Sequence, residues 1–157
     1  MQPPRKSRTK LVLLLVLIPV GVVILGCSGV MIYFMAGPEG GVRTGTNMEK
    51  YATQYIRTHQ LLNDGEQVQA YYDVTIDLDS TECYIVTPQR VIHHVNGQTV
   101  SIPLKEVVSI DHNEDFGDVI LITSSSGSPM KLEIAPLNDG KTFLQILRRQ
   151  WELAKVS

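Results

Sequence analysis

The densest concentration of side chains able to do chemistry is DHNEDFGD at residues 111–118, which places Asp111, Glu114, Asp115 and Asp118 within one short stretch. Carboxylates so close together suit a hard divalent cation. A calcium loop of the EF-hand type starting at Asp111 needs glycine at its sixth position and glutamate at its twelfth. Phe116 and Ile122 stand there instead. The stretch reads first as a solvated hairpin turn, with Asp111, Asp115 and Asp118 left as candidates for a weak divalent-ion site. His93, His94 and His112 raise the possibility of an imidazole-rich metal site. Neighbouring residues of a strand point to opposite faces, however, so His93 and His94 cannot serve one site without a bulge. No quartet with zinc-ligand spacing is evident.

Nucleophilic chemistry has less support. Ser124, Ser125 and Ser126 lie in SSSGS, a loop composition with no Gly-x-Ser-x-Gly elbow and no recognisable partner base. The glycines at 37–41 have the composition of a spacer, not of a phosphate-cradling loop. No catalytic residue and no cofactor is assigned, and the chain is expected not to be an enzyme.

The elements around these residues follow from periodicity. TNME places Thr46 three residues before Glu49, a capping-box pattern, and Met48, Tyr51, Ala52, Tyr55, Ile56 and His59 then recur at helical spacing. An amphipathic helix is expected over 48–63, stopped by Asp64-Gly65. Beyond it the period changes to two. Residues 68–76 predict a long half-buried strand, and further strands are expected at 83–87, 90–95, 99–104, 106–111, 119–123 and 130–134. Asn96-Gly97 is the strongest hairpin signal, and the short spacings throughout imply an antiparallel meander instead of βαβ units. After Pro136, Asn-Asp-Gly can cap a final helix whose stripe of Phe143, Ile146, Leu147, Trp151 and Ala154 closes one end of the sheets, burying Trp151.

Upstream, residues 11–36 form 26 consecutive positions without a charge. As a helix they extend about 39 Å, enough to cross a ~30 Å hydrocarbon core with some tilt. ILGCS within this run also resembles a lipoprotein signal in which Cys27 would carry lipid, after a basic n-region and an apolar h-region. Leu25 is bulky for that signal, and the residues after Cys27 stay apolar. A spanning helix explains both sides of Cys27, a lipobox only the preceding side, and a cleaved secretory signal is a further option. Arg5, Lys6, Arg8 and Lys10 precede the run, which by the positive-inside rule keeps the N-terminus cytoplasmic. The expected organisation is a basic tail at 1–10, a transmembrane helix at 11–36, a flexible glycine-rich linker at 37–47, an amphipathic helix at 48–63 and an extracytoplasmic domain at 64–157. The protein would be a single-pass signal-anchor protein of the cell membrane.

From Met48 onward nine Lys and Arg face fifteen Asp and Glu, so the folded part is acidic although the whole chain carries only −2. Nucleic-acid binding, which shows as a basic patch, is disfavoured, and so is docking of the domain on anionic lipid. With Cys27 and Cys83 as the only cysteines, no disulfide framework is proposed.

Three motifs carry a resemblance. LLNDGEQV, YIVTPQRVI and IPLKEVVSI are similar to the opening turn, the Thr-x-x-Arg strand pair and the Ile-Pro-x-x-x-Val connection of bacterial pleckstrin-homology-like (GRAM-like) domains, over Leu61 to about Trp151. The resemblance implies a mainly β (α+β) fold: a seven-stranded antiparallel sandwich or barrel with a C-terminal capping helix. It also implies a role in docking near a membrane, and no reaction. Thr87, Arg90, Ile102, Pro103 and Val107, the motif residues, read as structural. Phosphoinositide-binding members cluster Lys and Arg at the first hairpin loop. IDLDSTE supplies Asp77, Asp79 and Glu82 there, so that ligand is not expected. The expected partners are the membrane, through the N-terminal helix, and a protein bound at an exposed strand edge or at the open end of the sandwich. A small ligand or lipid headgroup is the alternative.

Overall fold

In a computed structural model of the chain, residues 18, 21, 40–114 and 117–156 are described. The 11–36 apolar run and Cys27 therefore lie almost wholly outside the described residues. Among the described residues no helix is long and apolar enough to cross a membrane. Asp115 also lies outside them.

The domain is mainly β, with two antiparallel sheets and a C-terminal helix, and it is not a closed barrel. Strand order in the first sheet is β1 (Arg43–Thr44), β2 (Ala70–Asp73), β3 (Glu82–Val86), β4 (Arg90–Val95) and β5 (Gln98–Pro103). The second contains β6 (Val107–Asn113), β7 (Asp118–Ser124) and β8 (Pro129–Ile134). A 3-10 turn at Leu104–Glu106 carries the chain between sheets. Helix α1 (Lys50–Thr58) lies between β1 and β2, and α2 (Gly140–Val156) ends the chain. The β4–β5 hairpin turns at Asn96 and Gly97, both at positive φ (48° and 79°) as its two-residue turn requires.

Two cores arise from one alternation. Ala70, Tyr72, Tyr84, Val86 and Val91 point inward to meet the second sheet and Phe143, Leu144, Leu147 and Ala154 of α2. Tyr71, Cys83, Ile85 and Ile92 point the other way and are covered by Ala52 and Ile56 of α1 with Leu61. Strand β2 is consequently buried at every position, where the sequence suggested a half-buried strand. Full burial of a side chain the size of Ile56 is worth about 1.5–3 kcal/mol, so α1 belongs to the fold.

Several boundaries differ from the sequence reading, each for a local reason. The long strand expected over 68–76 stops at Asp73, because the Asp73 carboxylate accepts bonds from the Thr75 amide (2.9 Å) and the Ser80 amide (3.0 Å) and turns the chain. The linker expected at 37–47 is built into the domain from Gly40 on: Val42 donates to the Asn138 carbonyl at 3.0 Å and Arg43–Thr44 pair with β2. Thr46 does not cap α1. Glu49 is the N-cap without a side-chain cap bond, its carboxylate held 2.6 Å from Arg43. Helix α1 ends at Thr58 and not near residue 63, since Gln60 adopts φ 50° and the Leu61 amide reaches back to the Ile56 carbonyl at 3.0 Å. Among the described residues eight strands replace the seven expected, and Glu106 belongs to the 3-10 turn. Trp151 is only half-buried, its indole donating to the Val107 carbonyl at 3.1 Å beneath the Lys155 ammonium.

Candidate functional site

Three polar constellations and one groove stand out. The first explains the Thr-x-x-Arg motif. Thr87 closes the β3–β4 turn by accepting from the Gln89 and Arg90 amides, and its hydroxyl donates to Glu66 at 2.7 Å. Arg90 grips the same carboxylate through Nε (3.0 and 3.2 Å) and Nη2 (2.7 Å), and also donates to the Leu61 carbonyl. The Glu66 side chain is 2% exposed, so this is a buried charge pair. Burial alone would raise the Glu66 pKa, but the bonds from Arg90, Asn63 and Thr87 leave it below its usual value, and Arg90 is correspondingly raised. Ile102 and Val107 are core residues and Pro103 ends the β5 edge, so all five motif positions act in turns, packing or strand termination.

The second constellation surrounds His94, which is 1% exposed between α1 and the sheet. Its Nε2 lies 3.0 Å from the Tyr55 hydroxyl and its Nδ1 2.8 Å from the Thr99 hydroxyl. His59 stacks on Tyr55 at 4.1 Å. Burial, then the positive potential of His59 and His93, lowers the His94 pKa. His93 points to the other face, beside Glu82 at 3.2 Å, as strand geometry demands.

The third lies at the β6–β7 turn. His112 shares the core-facing side of β6 with Ile110, while Asp118 shares that of β7 with Ile120 and Ile122. Their side chains meet with Nε2 to Oδ1 at 2.7 Å. Glu114 adds an oxygen 3.6 Å from His112 Nδ1 and pairs with Lys141 at 3.0 Å. Of the carboxylates proposed from sequence, Asp118 is found here, Asp111 is not, and Asp115 lies outside the described residues. Asp111 is exposed and accepts from Ser109 at 3.1 Å, turned away by the strand alternation. Sequence reasoning grouped His112 with the other histidines and passed over Glu114. His112 is opposite Ile120, so Asp118, two residues before Ile120, shares its face diagonally across the hairpin, and strand parity was the signal that could have joined them. Ser124 and Ser126 bond each other at 2.7 Å within their turn, with Ser125 exposed.

The groove, about 650 Å³, runs between the β1–α1 segment and α2. Met48, Ile56, Leu62, Val68 and Ile146 provide apolar walls, with Gln69, Gln150 and Arg149 among its polar groups. Gln150 and Gln69 approach to 3.5 Å across it.

No protein-family model matches the chain, and no curated protein matches it. Among solved structures, the C-terminal domain of an unknown protein from Leishmania infantum is similar at a TM-score of 0.47 and 14% identity, covering 64% of this chain and 98% of that one. That likeness is too distant to assign a family or an activity.

Proposed function

We propose that the chain is a single-pass, membrane-anchored, non-catalytic interaction or scaffolding module with a pleckstrin-homology-like domain, held by residues 11–36 with its N-terminus cytoplasmic and its domain outside. The groove between α1 and α2 carries this reading. It is concave, walled mainly by apolar side chains, rimmed by amides and one guanidinium, and framed by elements locked to the sheet, which suits an inserted segment of a partner protein. The meander β2–β5, the meander β6–β8 and the closing α2 support the pleckstrin-homology-like assignment, with β1 and α1 as additions.

The test is photo-crosslinking in native membranes from a residue replacing Thr53 beside the groove, with a control replacing Val108 on the exposed face of β6. A discrete adduct from position 53 is expected, missing at 108 and lost when Ile146→Asp places a charge in the groove. Equal adducts at both positions, or none at 53, would count against it.

The groove volume also lies within the ~300–1,000 Å³ range of small-molecule sites, which keeps a small-ligand or lipid-headgroup binder as the second reading. A melting shift with lipids or small amphiphiles, without a protein adduct, would favour it. Anchoring through a lipidated Cys27 leaves the domain's role the same, and intact mass separates the two attachments.

A further inference from the structure

The donors of His112, Glu114 and Asp118 all lie within 4.8 Å of one another. We propose that this trio binds a divalent transition-metal ion of the zinc class, the ion taking the place of the His112–Asp118 hydrogen bond.

Spacing supports it first. An ion with bonds near 2.0–2.1 Å sets tetrahedral ligands roughly 3.3 Å apart; Asp118 lies 2.7 Å from His112 Nε2, while Glu114 stands 3.6 Å from Nδ1, the other ring nitrogen. One ring nitrogen holds the ion, so with Nε2 and Asp118 as the fixed pair the exposed Glu114 side chain turns in to complete the set, its donor within 4.8 Å of the other two. Donor chemistry supports it next. An all-carboxylate set would suit calcium or magnesium, whereas one imidazole with two carboxylates suits zinc and its neighbours. Preorganisation is the third reason. The His112 and Asp118 side chains are 11% and 15% exposed, fixed on adjacent strands. Asp118 also rests against Gly140, where any Cβ would collide with it. Glu114, at 57% exposure, forms the open side, leaving the remaining coordination position to water.

Two carboxylates thus flank one imidazole, with Lys141 as the cation paired with Glu114. A doubly charged ion relieves their mutual repulsion more fully than a lysine at the rim. Bound there, it ties both strands of the hairpin together beside the first turn of α2. The ion would be a structural staple, separate from the groove.

The experiment is calorimetric titration of the full-length, tag-free protein in detergent micelles with Zn2+ alone, and with Ca2+ and Mg2+ for comparison. One equivalent of Zn2+ is expected to bind, more tightly than either of the others. Asp118→Asn and His112→Gln should each weaken it at least about tenfold, a scale reached even by changes to groups that only orient ligands. Glu114→Gln should weaken it less, and Asp111→Asn should leave it unchanged. Asp118→Asn preserves side-chain shape, and its melting curve without metal guards against misfolding. Visible absorption on substituting Co2+, altered by His112→Gln, is the second readout. Absence of binding at millimolar Zn2+, binding that survives His112→Gln, or equal affinity for Ca2+ overturns the proposal.

Discussion

Replacing Glu66 by alanine tests the energetic centre of the domain. The carboxylate is 2% exposed and accepts both the Arg90 guanidinium and the Thr87 hydroxyl, so its loss leaves a cation unpaired at 19% exposure. Removing one member of a buried pair costs about 3–5 kcal/mol. Because Arg90 keeps its bond to the Leu61 carbonyl and some contact with water, the lower end, about 3 kcal/mol, is expected. Against a typical total of about 5–15 kcal/mol that is a large fraction. For a domain of this size it corresponds to a fall in Tm of about 10–15 °C. Urea unfolding followed by Trp151 fluorescence, the single tryptophan, reads the change at the α2–β6 contact. The denaturant slope should stay constant while the midpoint falls. Glu66→Ala/Arg90→Met should be less destabilised than the sum of its parts, since the second change removes the stranded charge. A loss below about 1 kcal/mol for Glu66→Ala, as at an exposed pair, or strict additivity in the cycle, would refute the reasoning. In pH terms Glu66 is held below its usual pKa, so its stabilisation is complete above the unfolded value and disappears as pH falls through the folded one. The acid limb of the stability curve should therefore shrink in Glu66→Gln.

Other outcomes follow from the same geometry. His94 has a lowered pKa, so its contribution is full above about 6.5 and is lost as pH falls from there through the folded value; hydrogen-exchange protection factors in α1, taken against the intrinsic rate at each pH, should fall between pH 7 and 5 in the wild type and change less in His94→Gln. Gly140→Ala drives a Cβ into Asp118, and overpacking of this kind costs about 1–3 kcal/mol by urea titration, partly relieved in Gly140→Ala/Asp118→Ala. Cys83 is fully buried, its thiol pushed up to about 12 by burial and then by Asp73 and Glu82, so maleimide should label it only in denaturant. Ser101→Cys, at an exposed position, should by contrast be labelled in intact cells by a membrane-impermeant maleimide; labelling only after lysis would overturn the extracytoplasmic placement.

Much of the fold was legible because its signals are local. Six of the seven expected strands overlap the observed ones closely, since alternation survives in each, and Asn96-Gly97 fixed the β4–β5 register. Helix α2 was found from its stripe, although its buried face includes Leu144 and Gln150 while Ile146 and Trp151 lie at the margin. The first strand was misread because alternation cannot report the Asp73 carboxylate, which folds the following loop onto itself. Likewise the glycine-rich stretch before α1 has the composition of a spacer, and only its pairing with β2 and Asn138 makes it part of the sheet.

By itself the sequence determined the antiparallel β class, the closing helix, the acidity of the domain and the apolar run before it, because periodicity, turn chemistry and charge are properties of neighbouring residues. The tertiary structure alone decided that α1 covers the outer face of the first sheet, that Glu66 meets Arg90 across 24 positions, and that Asp118 joins His112 and Glu114 in preference to Asp111. Those pairings are set by which strand faces look the same way once the chain has turned, and that depends on loop conformations that nearest-neighbour patterns do not encode.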